Sequence, residues 1–278
     1  MALKTEWVRY GSKKEFLGLL AWPDRAAGPI PGVVVLQEIW GVDAHIQDVT
    51  HRFAMAGYAA LSPVLYAKDG ALPPELAVER VAEAQAFMNT LPIPAVMDPK
   101  LRDGELAKQQ QPLQGRIKQS LDTLFAGLLT GGLKLEQYLP ATLGAAAYLR
   151  NESTLAKGQK VAALGYCMGG GLAALAACHD KELAAAVIFY GGAPAKELIP
   201  QINCPVAGFY GSLDKRLMDG LPDFTAAMKA AGKSFATQVY QGVQHAYFND
   251  NRPAYHVQAA RDSFARTLAF LNEHLAAS

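Results

Sequence analysis

A chain of 278 residues that is 51% hydrophobic can bury one large core or two small ones and reads as a soluble globular protein. Its 26 Lys and Arg against 25 Asp and Glu leave a net charge of +1 with no dense basic cluster, which excludes an electrostatic footprint for nucleic acid or an anionic membrane and leaves a small molecule as the expected partner. Three cysteines, Cys167, Cys178 and Cys204, are an odd number without zinc spacing, and the N-terminal stretch lacks the apolar core of a signal peptide, so a cytoplasmic protein without a metal or other cofactor is expected.

In chain order, "EWVRYGSKKEFLGLLAWP" holds two β-rich runs around Gly11-Ser12 and predicts a hairpin. "GVVVLQEIWG" begins with the continuous β-branched run of a parallel strand covered on both faces. Asp43 is placed to cap the next helix, Ile46, Val49 and Phe53 share one face of it, and Gly57 is placed to end it. "YAALSPVLY" is the following strand. Residues 67 to about 115 break this rhythm, with Pro73-Pro74, "LPIP" and "QQQP" around a helix from about Pro74 to Thr90. That segment is either a flap over the site or a solvated surface insertion.

Ile117, Leu121, Leu124, Phe125 and Leu128 predict an amphipathic helix that returns the chain to the sheet. The uncharged stretch Val161 to Cys178 has the length of a membrane helix, but its glycines at 165 and 169 to 171 favour a buried strand, turn and helix. "AAAVIFYGG", "CPVAGFYGSLD" and "SFATQVYQG" supply further strands, with helices over Leu221 to Ala231 and Ala259 to Leu275. With no internal repeat, the whole predicts a single α/β domain over 1–278, a mostly parallel sheet with helices on both faces and an N-terminal hairpin.

Gly165-Tyr166-Cys167-Met168-Gly169 has the form G-x-nucleophile-x-G, with Cys where Ser is common. Such an elbow puts Cys167 at a helix start, where the dipole and free N–H groups favour a thiolate; the other reading is a small apolar residue packed for its size. A phosphate loop would need G-K-[ST], and a dinucleotide site G-x-G-x-x-G, and neither is present. Asp214 closes "FYGSLD" after one strand and His245 lies in "YQGVQHAYFND" after the last, in the order acid then base. His45, His51, His179, His256 and His274 read as surface or capping residues, and Cys178 and Cys204 as core. Glu38, at the carboxyl end of an apolar strand, precedes Ile39, whose N–H would join that of Met168 as an oxyanion donor.

"LQEIWGV", "SPVLY", "GYCMGG", "YGSLD" and "HAYFND" together resemble the dienelactone hydrolase (carboxymethylenebutenolidase) family of α/β-hydrolases over almost the whole chain. The resemblance implies a triad of Cys167, His245 and Asp214, with Glu38 in the family's position for a carboxylate that helps activate the thiol. Where well-known members carry an Arg four residues after the His, this chain has Asn249, and the nearest replacement is Arg252. Arg252, Trp40, Tyr66 and Phe248 are the expected substrate-binding residues, and the segment 67–115 is longer than the resemblance implies.

The expected reaction is hydrolysis of a small lactone or ester, carboxylated where Arg252 anchors it, through a thioester on Cys167. A thiolate is itself a good leaving group, so an enol lactone or activated ester suits it better than a simple alkyl ester. A broad carboxylesterase or thioesterase using the same residues, and a catalytically silent ligand-binding protein of this fold, are the other readings.

Overall fold

The apolar runs form the middle of one eight-stranded sheet. The computed structural model describes residues 3–92, 95, 98–129 and 134–276, the backbone alone for 127–129. β1 (Leu3–Tyr10) and β2 (Phe16–Pro23) form the hairpin, which turns at Gly11 with a φ of 89° that a side chain would resist. β3 (Gly32–Leu36), β4 (Ala59–Pro63), β5 (Val161–Tyr166), β6 (Ala185–Phe189), β7 (Val206–Gly211) and β8 (Phe235–Tyr240) complete the order β1-β2-β4-β3-β5-β6-β7-β8. β2 is antiparallel to both neighbours and all later pairings are parallel. This is the sheet of the α/β-hydrolase fold.

Every residue of β3 to β7 is buried because helices cover both faces. α1 (Ala44–Met55) and α8 (Val257–Leu275) share one face, where Phe53 meets Phe264 at 5.4 Å. α5 (Leu139–Asn151) and α6 (Met168–His179) pack against each other on the opposite face. Asp43 caps α1 by accepting from Ile46 N at 3.0 Å, and Gly57 follows its end at a φ of 102°.

Between β4 and β5 the chain builds α2 (Val78–Thr90), α3 (Pro99–Leu106) and α4 (Leu113–Leu129). These helices bury a second hydrophobic cluster, to which the sheet side contributes Ile39 and Trp40 among the described residues. The expectation that the helix carrying Ile117, Leu121, Leu124 and Phe125 returns the chain to the sheet is therefore corrected: its stripe packs in this second cluster, and α5 is the helix that leads into β5. An amphipathic stripe specifies that a helix needs an apolar partner and leaves open which one. The Leu128 side chain lies outside the described residues. α7 (Lys215–Ala230) begins ahead of the expected Leu221, directly after Asp214, and carries Pro222 in its interior. Among the described residues, no helix is long and apolar enough to cross a membrane, and no group of three His, Cys, Asp or Glu could hold a metal ion.

Candidate active site

β5 enters α6 through Cys167, whose φ of 56° and ψ of −114° belong to neither element. The flanking glycines make this turn sterically available. A Cβ on Gly165 would lie 2.0 Å from the Gly169 carbonyl oxygen, and one on Gly169 would lie 2.4 Å from the Leu36 carbonyl oxygen of β3. Cys167 is partly exposed at the start of α6, whereas burial pushes the Cys178 thiol up to about 11 and the Cys204 thiol up to about 12. The core cysteines are thus held as neutral thiols, and Cys167 is the one presented to a reactant.

The loops after β7 and β8 are joined to each other by short backbone approaches. Leu213 N donates to Val243 O at 2.9 Å, Gly242 N donates to Ser212 Oγ at 2.8 Å, and a Cβ on Gly211 would lie 2.4 Å from Val243 O. This stitching brings His245 Nδ1 to 2.5 Å from Asp214 Oδ2, with Cys167 near enough to act on the charge of the same imidazole. Burial pushes the Asp214 carboxyl up, but its hydrogen bond and attraction to His245 outweigh this and hold it below the ordinary value. Burial also opposes charge on His245, yet Cys167 and Asp214 together raise it to about 10. A protonated imidazole beside the Asp214 carboxylate is the arrangement this favours.

Three of the five non-glycine residues with positive φ among the described residues stand here: Cys167, Tyr190 (39°) and Ala246 (60°). Each such conformation costs roughly 1–3 kcal/mol and persists because packing over-determines it. Tyr190 follows β6, wholly buried, with its ring 5.0 Å from that of His245 and its hydroxyl donating to Glu38 Oε1 at 3.1 Å. Asn249 Nδ2 donates to Glu38 Oε2 at 2.7 Å, and Asn249 Oδ1 accepts from Asn251 N at 3.0 Å. Glu38 is only 3% exposed, and each of its oxygens is held by a neutral donor. Ile39, next in sequence, begins a turn closed by Gly41 N donating to Glu38 O at 3.3 Å. Among the described residues, neither Ile39 N nor Met168 N donates to the backbone or to a side chain, and the Met168 N–H at the first turn of α6 has no intrahelical acceptor.

Arg252 lies over the Trp40 ring at 5.0 Å, with Nη1 buried and without a hydrogen-bond partner among the described residues. Burial lowers its pKa, against the raising influence of the Glu38, Asp43 and Cys167 charges. Trp40 is buried and also meets Phe125 of α4 edge-on at 5.9 Å. Tyr66 donates to the Ile39 carbonyl oxygen at 2.8 Å. Phe248, expected to bind substrate, is wholly buried and its ring packs against Tyr166, Phe189 and Phe264 in the core.

Several residues that sequence reasoning passed over support these loops. His45, expected at the surface, is buried, because its ring fills the space beside Tyr166 and Phe248. Its Nδ1 lies 3.2 Å from Asp250 Oδ1, and Arg52 Nη2 donates to Asp250 Oδ2 at 2.6 Å, so Asp250 pairs with α1 and not with Arg252. On α2, Gln85 donates to Asp43 Oδ2 at 2.6 Å and Asn89 donates to Asn251 O at 3.2 Å. The available signal was the spacing of two amides four residues apart on one helix. For Tyr190 it was a tyrosine preceding two glycines at a strand end.

Comparison with known proteins gives a consistent assignment. Residues 16–275 match the dienelactone hydrolase family. A Saccharolobus solfataricus protein named for carboxymethylenebutenolidase activity is 31% identical over 255 residues, covering 91% of each chain. An Escherichia coli K12 protein named for the same activity is 27% identical over 265 residues, covering 91% of this chain and 81% of the other. A solved Klebsiella pneumoniae protein carrying the name dienelactone hydrolase superposes with a TM-score of 0.72 at 27% identity, covering 98% of this chain and 100% of that one. A dienelactone hydrolase-like promiscuous phosphotriesterase from metagenomic libraries, 18% identical, shares the fold with a TM-score of 0.68, over 99% of this chain and 100% of its own. The family match runs from the N-terminal hairpin through the elbow to α8, and on that extent the chain belongs to the dienelactone hydrolase family.

Proposed function

We propose that this hydrolase cleaves small activated esters, enol lactones above all, by acyl transfer through Cys167. The supporting observation is the run Asp214, His245, Cys167, in which His245 is raised to about 10 by its two partners against the opposing effect of burial. In acylation, Cys167 Sγ forms a bond to the acyl carbon while the carbonyl oxygen takes negative charge facing the Ile39 and Met168 N–H groups. The bond from carbon to the leaving oxygen then breaks, and the His245 proton passes to that oxygen. The resulting thioester no longer carries the thiolate charge that raised His245, so a neutral imidazole is available to take a proton from water. The hydroxide equivalent adds to the acyl carbon, the C–S bond breaks, the acid leaves, and the proton returns the Cys167–His245 pair to its starting state.

The collapse of the first tetrahedral intermediate selects the substrate. Thiolate and leaving oxygen compete for expulsion; an unactivated alkoxide loses to the thiolate, and an enolate competes well. Glu38, whose charge acts together with that of Cys167 on Tyr190 and Arg252, is assigned as a further proton acceptor for the thiol. Arg252, with its unpaired buried Nη1, is assigned as the anchor for a substrate carboxylate.

The test is a hydrolysis series pairing enol lactones with alkyl esters of the same acid. A higher kcat/KM for the enol lactones, abolished in Cys167→Ala and retained in Cys178→Ala, is expected. Equal rates on both classes would favour a broad esterase. Absence of turnover with a Cys167 inert to iodoacetamide would mean a ligand-binding protein.

A further inference from the structure

We propose that Tyr66 is the positioning residue of the oxyanion hole, holding the Ile39 peptide through its hydroxyl while packing against Met168; this rests on the assignment of the Ile39 and Met168 N–H groups as oxyanion donors. The Tyr66 oxygen lies 2.8 Å from Ile39 O and 3.7 Å from Met168 Sδ. A phenol has one proton, and the shorter contact to a carbonyl oxygen takes it, leaving the sulfur as a soft packing neighbour. One side chain therefore touches both residues whose N–H groups are the proposed donors.

The local backbone explains why this contact matters. Ile39 sits between two peptide planes, and only its φ and ψ separate them. Gly41 N, donating to Glu38 O at 3.3 Å, fixes the plane that carries the Ile39 N–H. Tyr66 fixes the next plane by its bond to Ile39 O. Its neighbour Leu65 donates from N to Gln37 Oε1 at 3.1 Å, so consecutive residues after β4 brace the loop on both sides of Glu38. The ring is itself held, edge-on to Tyr138 at 5.8 Å. Burial, with the nearby Tyr138 and Cys167, pushes the phenol well above its ordinary value, so the hydroxyl keeps its proton and remains a donor at any working pH. Without that donor, the Ile39–Trp40 plane can rotate, and the aim of the Ile39 N–H at the charge that develops on the substrate rests on the 3.3 Å bond from Gly41 alone.

Tyr66→Phe isolates the hydroxyl because the ring and its packing are kept. The measurements are kcat, KM, inhibition by the product acid, and inhibition by the corresponding aldehyde, whose hemithioacetal with Cys167 is tetrahedral. Removing a whole oxyanion donor costs about 10²–10³ in kcat, so loosening one is expected to cost about 10-fold. KM and product inhibition should stay within about threefold, since the donor acts on charge absent from both ground states. The aldehyde should lose affinity by the same factor as kcat/KM, and iodoacetamide should label Cys167 at the wild-type rate. Unchanged kcat and aldehyde affinity would overturn the proposal, as would a rise in KM and product inhibition constant at constant kcat, which would make Tyr66 a substrate contact. An aldehyde that binds the wild type no better than the product acid would instead overturn the oxyanion assignment itself.

Discussion

Asn249 donates a 2.7 Å hydrogen bond to Glu38 from a wholly buried position four residues beyond His245, so the Glu38 carboxylate is held by a neutral amide. Asn249→Ala leaves Tyr190 as the remaining hydrogen-bond donor to the carboxylate among the described residues. A hydrogen bond to a charged group contributes about 1.5–3 kcal/mol, and a loss of that size in urea-induced unfolding is expected. Asn249→Asp should be worse, since two carboxylates in contact repel, and its activity should recover as pH falls and one of them takes up a proton. Equal behaviour of the two variants would mean that the contact is packing and not charge recognition.

The proposed role of Glu38 has a direct kinetic signature. A carboxylate near a thiol disfavours the thiolate by repulsion, so Glu38 assists only by accepting the proton. Glu38→Gln should then slow both acylation and iodoacetamide labelling of Cys167 at neutral pH. Faster labelling would show that repulsion dominates.

His245 is raised to about 10 although burial opposes it, and the largest raising influence is Cys167, followed by the hydrogen bond to Asp214. Cys167→Ala removes that influence, and an NMR titration should find the imidazole well below its wild-type value. Because the native value lies above the ordinary value of about 6.5, the pair's contribution to stability is full below that pH and is lost as pH rises through about 10. Asp214→Asn should lower kcat by about 10²-fold or more while KM changes little. An imidazole that titrates alike with and without Cys167 would remove the ion pair from the mechanism.

The parts legible in the sequence were those fixed by local sterics. The glycines at 165 and 169 could be read as an elbow from their spacing around Cys167 at a strand end, and a Cβ at either position would indeed meet backbone. Asp43 as a cap and the buried β3 run were legible for the same reason, since capping and a two-faced burial pattern are properties of a few adjacent residues. The partner of α4 was not legible: its stripe fits a sheet or another helix equally well, and the choice depends on α2 presenting Val81, Phe87 and Met88. His45 and Asp250 are 205 positions apart in sequence, and their pairing depends on α1 packing under the loop after β8. The role of Asn249 was hidden similarly, because a residue read as a missing arginine became informative once its partner Glu38 was in place.

The Asp250 carboxylate is held below the ordinary range first by its hydrogen bond from His45 and then by Arg52, against the opposing effect of burial. A carboxylate lowered in the native state adds stability that is full above the ordinary value of about 3.9 and is lost as pH falls through the native value. Asp250→Asn should therefore lower Tm at pH 7, with the gap to wild type narrowing below about pH 4. A gap constant down to acid pH would attribute the effect to shape and not to charge. Activity should also fall, because Asp250 follows Asn249 and ties the loop that carries His245 to α1.

Arg252 gives the sharpest test of substrate class. Its guanidinium is packed on Trp40, and Nη1 is buried with no hydrogen-bond partner, an expensive state unless a ligand supplies the acceptor. Glu38, Asp43 and Cys167 lie close enough to favour its charge, yet Asp250, the neighbouring acid two residues back, is already taken by His45 and Arg52. A carboxylate remote from the scissile bond would be held equally in ground and transition states, so its anchor sets KM and leaves kcat alone. Arg252→Ala should thus raise KM for carboxylated lactones by about 10-fold or more, the loss of a charge-assisted hydrogen bond of about 1.5–3 kcal/mol, while neutral aryl esters are hydrolysed as before. Trp40→Phe, which keeps an aromatic face under the guanidinium, should show a smaller change of the same kind. Equal losses on charged and neutral substrates would point instead to disruption of the loop that carries His245, and wild-type KM on both would mean that the arginine serves only to cover Trp40.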